Sequence, residues 1–268
     1  MADFDGGFDG YGLGPELAIT ADGSIRVVTL SRPDNLNGAN RAMHQCLAQL
    51  WSRIDADADA RVVVVTGAGS AFSAGGDFGY MQENIDDEDM RAQTMEEGRA
   101  ILAGMVRCRL PVIAAVNGPA VGLGCSLALL SDIVLMAEGS FLADPHLRMG
   151  LVPGDGGMVF PALVGLSRAK EFLFLGGRIP ADEAVRLGLA SRTTPSDDLL
   201  AEAMRLAARL ADVPAAALQA TKRGLNSYLE IQLDRAFDVA LNGELASMGS
   251  DEHRQAVAAA RAKSTKSS

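Results

Sequence analysis

An α/β fold built on a largely parallel sheet is what this sequence predicts, and three observations predict it. Short runs of apolar, mostly β-branched residues, Ile25–Leu30 (IRVVTL), Val62–Thr66 (VVVVT), Val112–Val116 (VIAAV) and Ile133–Ala137, have the unbroken apolar character of strands covered on both faces. Segments with helical spacing alternate with them. Two glycine-rich turns, Gly67–Asp77 (GAGSAFSAGGD) and Asn117–Gly124 (NGPAVGLG), follow two of these runs and lead into helical sequence.

Taken in order, the opening MADFDGGFDGYGLG is rich in Gly and Asp, and residues 1–15 are expected to be flexible. After the Ile25–Leu30 strand, Ser31–Asn37 (SRPDNLN) is turn-prone. Ala39 to Ile54 places Met43, Leu47, Leu50 and Ile54 on one helical face. Tyr80 to about Arg107 reads as mostly helical, with the charge run IDDEDM (85–90) on a solvated face, and Ser126–Leu130 as a short helix. From Ala181 onward, Ala- and Leu-rich helical spacing dominates. A boundary near Pro195 divides a core, residues 16–195, from a helical C-terminal domain, residues 196–268. Its apolar faces exceed what a small appendage buries on itself, which points to contacts between subunits.

Composition narrows the function classes. With 268 residues and 48% hydrophobic content the chain can bury a sizeable core. A net charge of −10 argues against nucleic acid or an anionic membrane surface as partner. Cys46, Cys108 and Cys125 are odd in number and widely spaced, as free thiols in a reducing compartment are. No basic-then-apolar leader opens the chain and no run of 18 apolar residues occurs in it, so a cytoplasmic protein is expected. No Cys/His cluster has the spacing of a metal site, so no metal is expected.

The glycine-rich turns are the strongest local signal for chemistry. Glycine permits positive φ and close ligand approach, so backbone N–H groups there can face an incoming oxygen. GAGSAFSAGG lacks both the G-x-G-x-x-G spacing and the lysine of a phosphate loop, which argues against a nucleotide cradle. The chain has three histidines, one of them in the rigid stretch ADPHLRMGLVPGDGG (143–157). His44 sits on a helix beside Met43 and Leu47, where packing is the plainer reading and a place on a pocket wall stays open. Asp77 follows Gly76 and is read as bonding loop amides.

Four segments, RPDNLNGAN (32–40), AFSAGGDF (71–78), PVIAAVNGPAVGLGCSLALLSDIVLMAE (111–138) and PHLRMGLVPGDGG (145–157), resemble the crotonase superfamily, the enoyl-CoA hydratase/isomerase family. FLGGRIPADEAVRLGLAS (174–191) and TKRGLN (221–226) extend the resemblance, which runs colinearly from about residue 16 to 265. It implies a spiral of β-β-α units with a C-terminal helical trimerisation domain, assembled as a homotrimer or a dimer of trimers. It also implies an acyl-CoA thioester as ligand, with coenzyme A part of the substrate and no separate cofactor.

On matching positions the resemblance makes the amides of Gly76 and Leu123 an oxyanion hole, flanked by Ala74 and Gly122 as substrate-binding positions. Two preoriented donors suit a thioester enolate, because loss of one typically costs about 2.7–4 kcal/mol. Where family hydratases carry two glutamates, this chain has Ser126 and His146, twenty residues apart. Water addition needs one group to activate water and one to protonate carbon. Ser126 is a poor base and reads more simply as a helix hydroxyl bonded to backbone, while His146 can serve. Asp155, nine residues on across a glycine-rich turn, is close enough in sequence to orient the imidazole. The histidine, the Gly-Asp pair and Glu244 in LNGELAS resemble the superfamily's diketone-hydrolase branch. Arg32 and the main chain at Asn35–Asn37 match the adenine-side segment, with Lys222 and Lys263 as candidate phosphate partners. The aromatic residue often found in the family's last helix is missing from AVAAARAK (256–263). Three functions are therefore carried forward: an enoyl-CoA hydratase or isomerase working through His146, a hydrolase of a 1,3-diketone or thioester, and a non-catalytic acyl-CoA binder.

Overall fold

The computed structural model describes residues 10–154, 157 and 159–267; Asp155 and the first nine residues of the expected flexible N-terminus lie outside the described residues. From Gly10 onward the chain contacts the body of the protein, with the Tyr11 hydroxyl donating to Asp57 Oδ2 at 2.7 Å. A hairpin pairs β1 (Leu17–Asp22) antiparallel with β2 (Ile25–Leu30), turning at Gly23, whose φ is +55°. β1 is absent from the sequence reading, because its composition, LAITAD, lacks a sustained β-branched run.

Asn40 caps α1 (Arg41–Ala56) by accepting from the Met43 amide. β3 (Val62–Gly67) is buried at every position, as its unbroken valine run requires. The acidic helical stretch divides into α2 (Phe78–Asp86) and α3 (Glu88–Arg107), separated by Asp87, which caps the second. β4 (Val112–Val116), β5 (Ala120–Val121) and α4 (Leu123–Leu129) follow, then β6 (Ile133–Ala137) and β7 (Phe141–Ala143). Beyond the His146 loop come α5 (Phe160–Val164), α6 (Leu166–Leu175), β8 (Arg178–Pro180), α7 (Ala181–Arg186) and β9 (Arg192–Thr194). Helices complete the chain: α8 (Leu199–Ala211), α9 (Ala215–Met248) and α10 (Asp251–Ser267).

Six strands form one sheet in the order β1-β2-β3-β4-β6-β9, parallel from β2 onward, and β5-β7-β8 form a second. The two sheets step around a core containing Trp51, Phe72, Ile101 and Phe160, the repeating strand–strand–helix turn that the resemblance implies. On the other face, Leu199, Ala203, Leu206 and Ala207 of α8 cover Val62, Val64, Ile113 and Leu135. The compositional change at Pro195 therefore does not coincide with a break in packing, since α8 belongs to the core by contact. α9 runs across the body, and its exposed side chains include Leu225, Tyr228, Ile231 and Val239.

Cys46, Cys108 and Cys125 are free and buried, and burial pushes the Cys108 thiol up from its ordinary value. Among the described residues no helix is long and apolar enough to cross a membrane.

Candidate active site

Hydrogen bonds zip the two glycine-rich turns together. The Phe72 and Ser73 amides both donate to the Pro119 carbonyl, and Val121 N–H donates to Ser73 O at 2.8 Å. On its other side the first turn pairs with Ala39, whose amide donates to Gly75 O at 2.7 Å and whose carbonyl accepts from Asp77. Gly75 and Gly122 are the positions where glycine is required. Gly75 has φ +89° and a Cβ there would lie 2.9 Å from Val121 O; Gly122 has φ +51° and starts α4. The two turns thus meet back to back, and a Cβ on Gly122 would stand 3.8 Å from Gly75 Cα and 3.7 Å from His146 Cε1.

This arrangement leaves two main-chain donors. Among the described residues neither the Gly76 nor the Leu123 amide has a hydrogen-bond partner in the protein. Leu123 is the first residue of α4, so its N–H has no carbonyl to bond within the helix and shares the positive end of the helix dipole. Ala74, Gly76, Gly122 and Leu123 all line one cleft, partly open to solvent. Its walls are mostly apolar, with four methionines among them (Met81, Met95, Met149 and Met248).

All three histidines of the chain line this cleft. His146 follows β7 at the start of a short 3-10 turn, and its Nδ1 is held 2.6 Å from Asp144 Oδ1. The same oxygen accepts the His146 backbone N–H at 3.1 Å. Burial raises the Asp144 carboxyl, but the His146 charge and these two hydrogen bonds outweigh it and hold the group below the usual carboxylate range. Asp144 therefore holds Nδ1, while Asp155, the orienting residue that the sequence suggested, lies outside the described residues. Glu244 reaches the cleft from α9, with Oε1 3.9 Å from His146 Nε2.

His253, from α10, bonds Met149 O through Nδ1 at 2.6 Å; its burial favours the neutral ring. His44 lies on α1, with Nδ1 2.8 Å from Glu97 Oε2 of α3 and its ring 5.7 Å from the ring of Tyr80. Sequence reasoning passed over Asp144, His253 and the His44–Glu97 pair. Only Asp144 left a local signal: Asp-Pro followed by a residue whose amide the aspartate can accept is an Asx turn.

Several expected substrate contacts are engaged elsewhere. The Ser126 hydroxyl is buried in α4, bonded to Gly122 O at 3.2 Å, and does not line the cleft. Lys222 is no phosphate ligand: its buried ammonium donates to Leu110 O and Asp132 Oδ2, each at 2.7 Å, joining α9 to the ends of β4 and β6. Arg32 bonds Gly38 O and pairs with Asp77 Oδ2 at 3.2 Å, while Asp77 Oδ1 caps α2 through the Gly79 amide. Asn37 is fully buried and ties its turn to Ala68 O and Ala71 O, so its side chain shapes the loop instead of meeting substrate. Lys263 is exposed near the end of α10.

Known proteins share this architecture. The enoyl-CoA hydratase/isomerase family profile matches residues 20–262. A probable enoyl-CoA hydratase of Rhodobacter capsulatus is 37% identical over 226 residues, which cover 82% of this chain and 86% of that protein. The 2,3-dehydroadipyl-CoA hydratase of Escherichia coli is 35% identical over 222 residues, 81% and 84% of the two chains. Among solved structures, an enoyl-CoA hydratase/isomerase from Mycobacterium paratuberculosis superposes with a TM-score of 0.90 at 49% identity, covering 92% of this chain and 98% of that one. Fold and glycine turns together define a crotonase-superfamily enzyme. Within that superfamily, the chain belongs to the enoyl-CoA hydratase/isomerase family.

Proposed function

We propose that the chain acts on an acyl-CoA thioester, with the Gly76 and Leu123 amides receiving the thioester oxygen and His146 moving the proton. The observation that carries this reading is that two amides without hydrogen-bond partners, among the described residues, line the same cleft as a carboxylate-backed imidazole next to Gly122. With Nδ1 held by Asp144, the ring works through Nε2. For a 2-enoyl thioester, His146 takes a proton from water as the water oxygen bonds to C3. The electron pair moves through C2 to the thioester oxygen, where the two N–H groups stabilise it. The imidazolium then returns the proton to C2, so one water has been added and the enzyme is unchanged. Glu244, beside Nε2, is placed to hold that water.

A second reading is hydrolysis, of the thioester or of a 1,3-diketone carbon–carbon bond. The burial of Ser126 away from the cleft favours it, because only one of the two positions that carry glutamate in family hydratases then presents an acid/base group. The exposed apolar residues of α9 support self-association as a trimer or a pair of trimers. To test the reaction, purified protein is incubated with crotonyl-CoA, a saturated acyl-CoA and a cyclic 1,3-diketone. Loss of enone absorbance without thiol release supports hydration, whereas thiol or acid production supports hydrolysis. Thioester binding without any reaction identifies a binder and overturns both. Full activity of His146→Ala on the true substrate removes His146 from the mechanism.

A further inference from the structure

The wall opposite the glycine turns is built from α1, α2 and α3, and nearly all its polar side chains are spent on one another. Tyr80 Oη lies 2.6 Å from Thr94 Oγ1, Thr94 Oγ1 lies 2.7 Å from Asn84 Oδ1, and Asn84 Nδ2 donates to Tyr80 O at 2.9 Å. The loop of bonds is closed, and these side chains have little left to offer a ligand. His44 is the exception. Its Nδ1 is committed to Glu97, yet among the described residues its Nε2 has no hydrogen-bond partner, and the residue lines the cleft.

Glu97 is itself fixed. Its other oxygen accepts from Gln93 Nε2 at 2.8 Å. Burial raises the carboxyl, but the bonds from His44 and Gln93 outweigh that and keep it ionised. Stability does not explain such a pair beside an apolar slot, since replacing a buried pair with apolar side chains of similar volume is often neutral or stabilising. What the pair achieves is orientation: a carboxylate on Nδ1 sets the tautomer and aim of Nε2, as outer-sphere carboxylates do for functional histidines.

We infer that His44, positioned by Glu97, is a specificity-determining residue whose Nε2 accepts a hydrogen bond from a hydroxyl group on the acyl chain of the substrate. This deepens the thioester reading and rests on it. An uncharged group suits the site better than a carboxylate, because the ionised Glu97 stands directly behind the His44 ring. The rest of the slot, lined by Met81, Met95 and Leu241, accommodates plain hydrocarbon, so selectivity is concentrated in this one contact.

The test compares 2-hexenoyl-CoA with 5-hydroxy-2-hexenoyl-CoA, measuring kcat/KM for each and, in parallel, Kd by calorimetry, so that selectivity is read even where turnover is slow. The expected wild-type preference for the hydroxy ester is about tenfold or more, on the scale of one well-made hydrogen bond. His44→Phe, which keeps an aromatic ring without a donor or acceptor, is expected to bring the ratio near one. Glu97→Gln, which holds the ring less firmly, should give an intermediate ratio and serves if the first variant fails to fold. A wild-type ratio near one, or a preference that persists in a folded variant, overturns the inference. Equal binding of both esters removes only this proposal, whereas failure to bind either removes the thioester reading with it.

Discussion

At the scale of single residues, the most informative contact is Asp144 to His146. A carboxylate two residues before a histidine reaches its ring only because the chain turns sharply at Pro145, and the same carboxylate oxygen holds both the ring and the backbone amide. Asp144→Asn keeps the shape but loses the charge that supports the imidazolium, and its NH2 group can turn toward the ring and impose the other tautomer. We expect kcat/KM to fall by about 10²–10⁴ with little change in thermal stability, measured by steady-state kinetics beside a melting curve. His146 stood out in the sequence as a candidate because it sits at a motif position; the Asp144 contact was not sought so near. Lys222 and Arg32 were misjudged for a different reason. Charge reads as availability in a sequence, and only packing shows that Asp132 and Asp77 have already taken these cations. The His44–Glu97 and His253–Met149 contacts join residues 53 and 104 positions apart, and no local pattern announces which helices dock.

Among the elements, the strands were the most legible, because a run such as VVVVT admits only burial on both faces. The glycine turns were legible as turns, and the backbone geometry at Gly75 and Gly122 accounts for them. α4 offers a direct test of the amide pair. Leu123 is its first residue, where proline is tolerated because the N–H it removes has no intrahelical role. Leu123→Pro deletes that donor, while Leu123→Ala shortens the same side chain and keeps it. We expect the proline variant to lose about 10²–10³ in kcat relative to the alanine variant at similar melting temperature. Equal rates for the two would exclude this amide from the chemistry.

For the molecule as a whole, two expectations follow from burial. His253 is kept neutral in the fold, so its folded pKa lies below the ordinary histidine value. Below pH about 6.5 the unfolded chain takes up a proton that the folded chain resists, and stability falls with a slope of up to about 1.4 kcal/mol per pH unit. Asp144 has the depressed carboxylate shift, so its contribution is present above pH about 4 and is lost as acid titrates the folded group. Urea midpoints between pH 7 and 5 should show the first loss, with a shallower fall in His253→Gln. The second expectation concerns assembly. Leu225 and Tyr228, 65% and 75% exposed on α9, are covered if chains associate, and Leu225→Glu/Tyr228→Glu is expected to yield a lone chain in sedimentation velocity. The α/β class and the helical C-terminal region were legible from the strand runs and the helical spacing, but not the packing of α8 on the sheet, because nothing local distinguishes a helix that covers a core from one that faces a neighbour.

The three sequestered cysteines have a practical consequence. An aromatic disulfide reagent added to the native enzyme should develop no colour from protein sulfur, so any yellow product in a thioester assay comes from liberated coenzyme A. In denaturant the same reagent should titrate Cys46, Cys108 and Cys125, and one chromophore then counts turnover in the first condition and loss of the fold in the second.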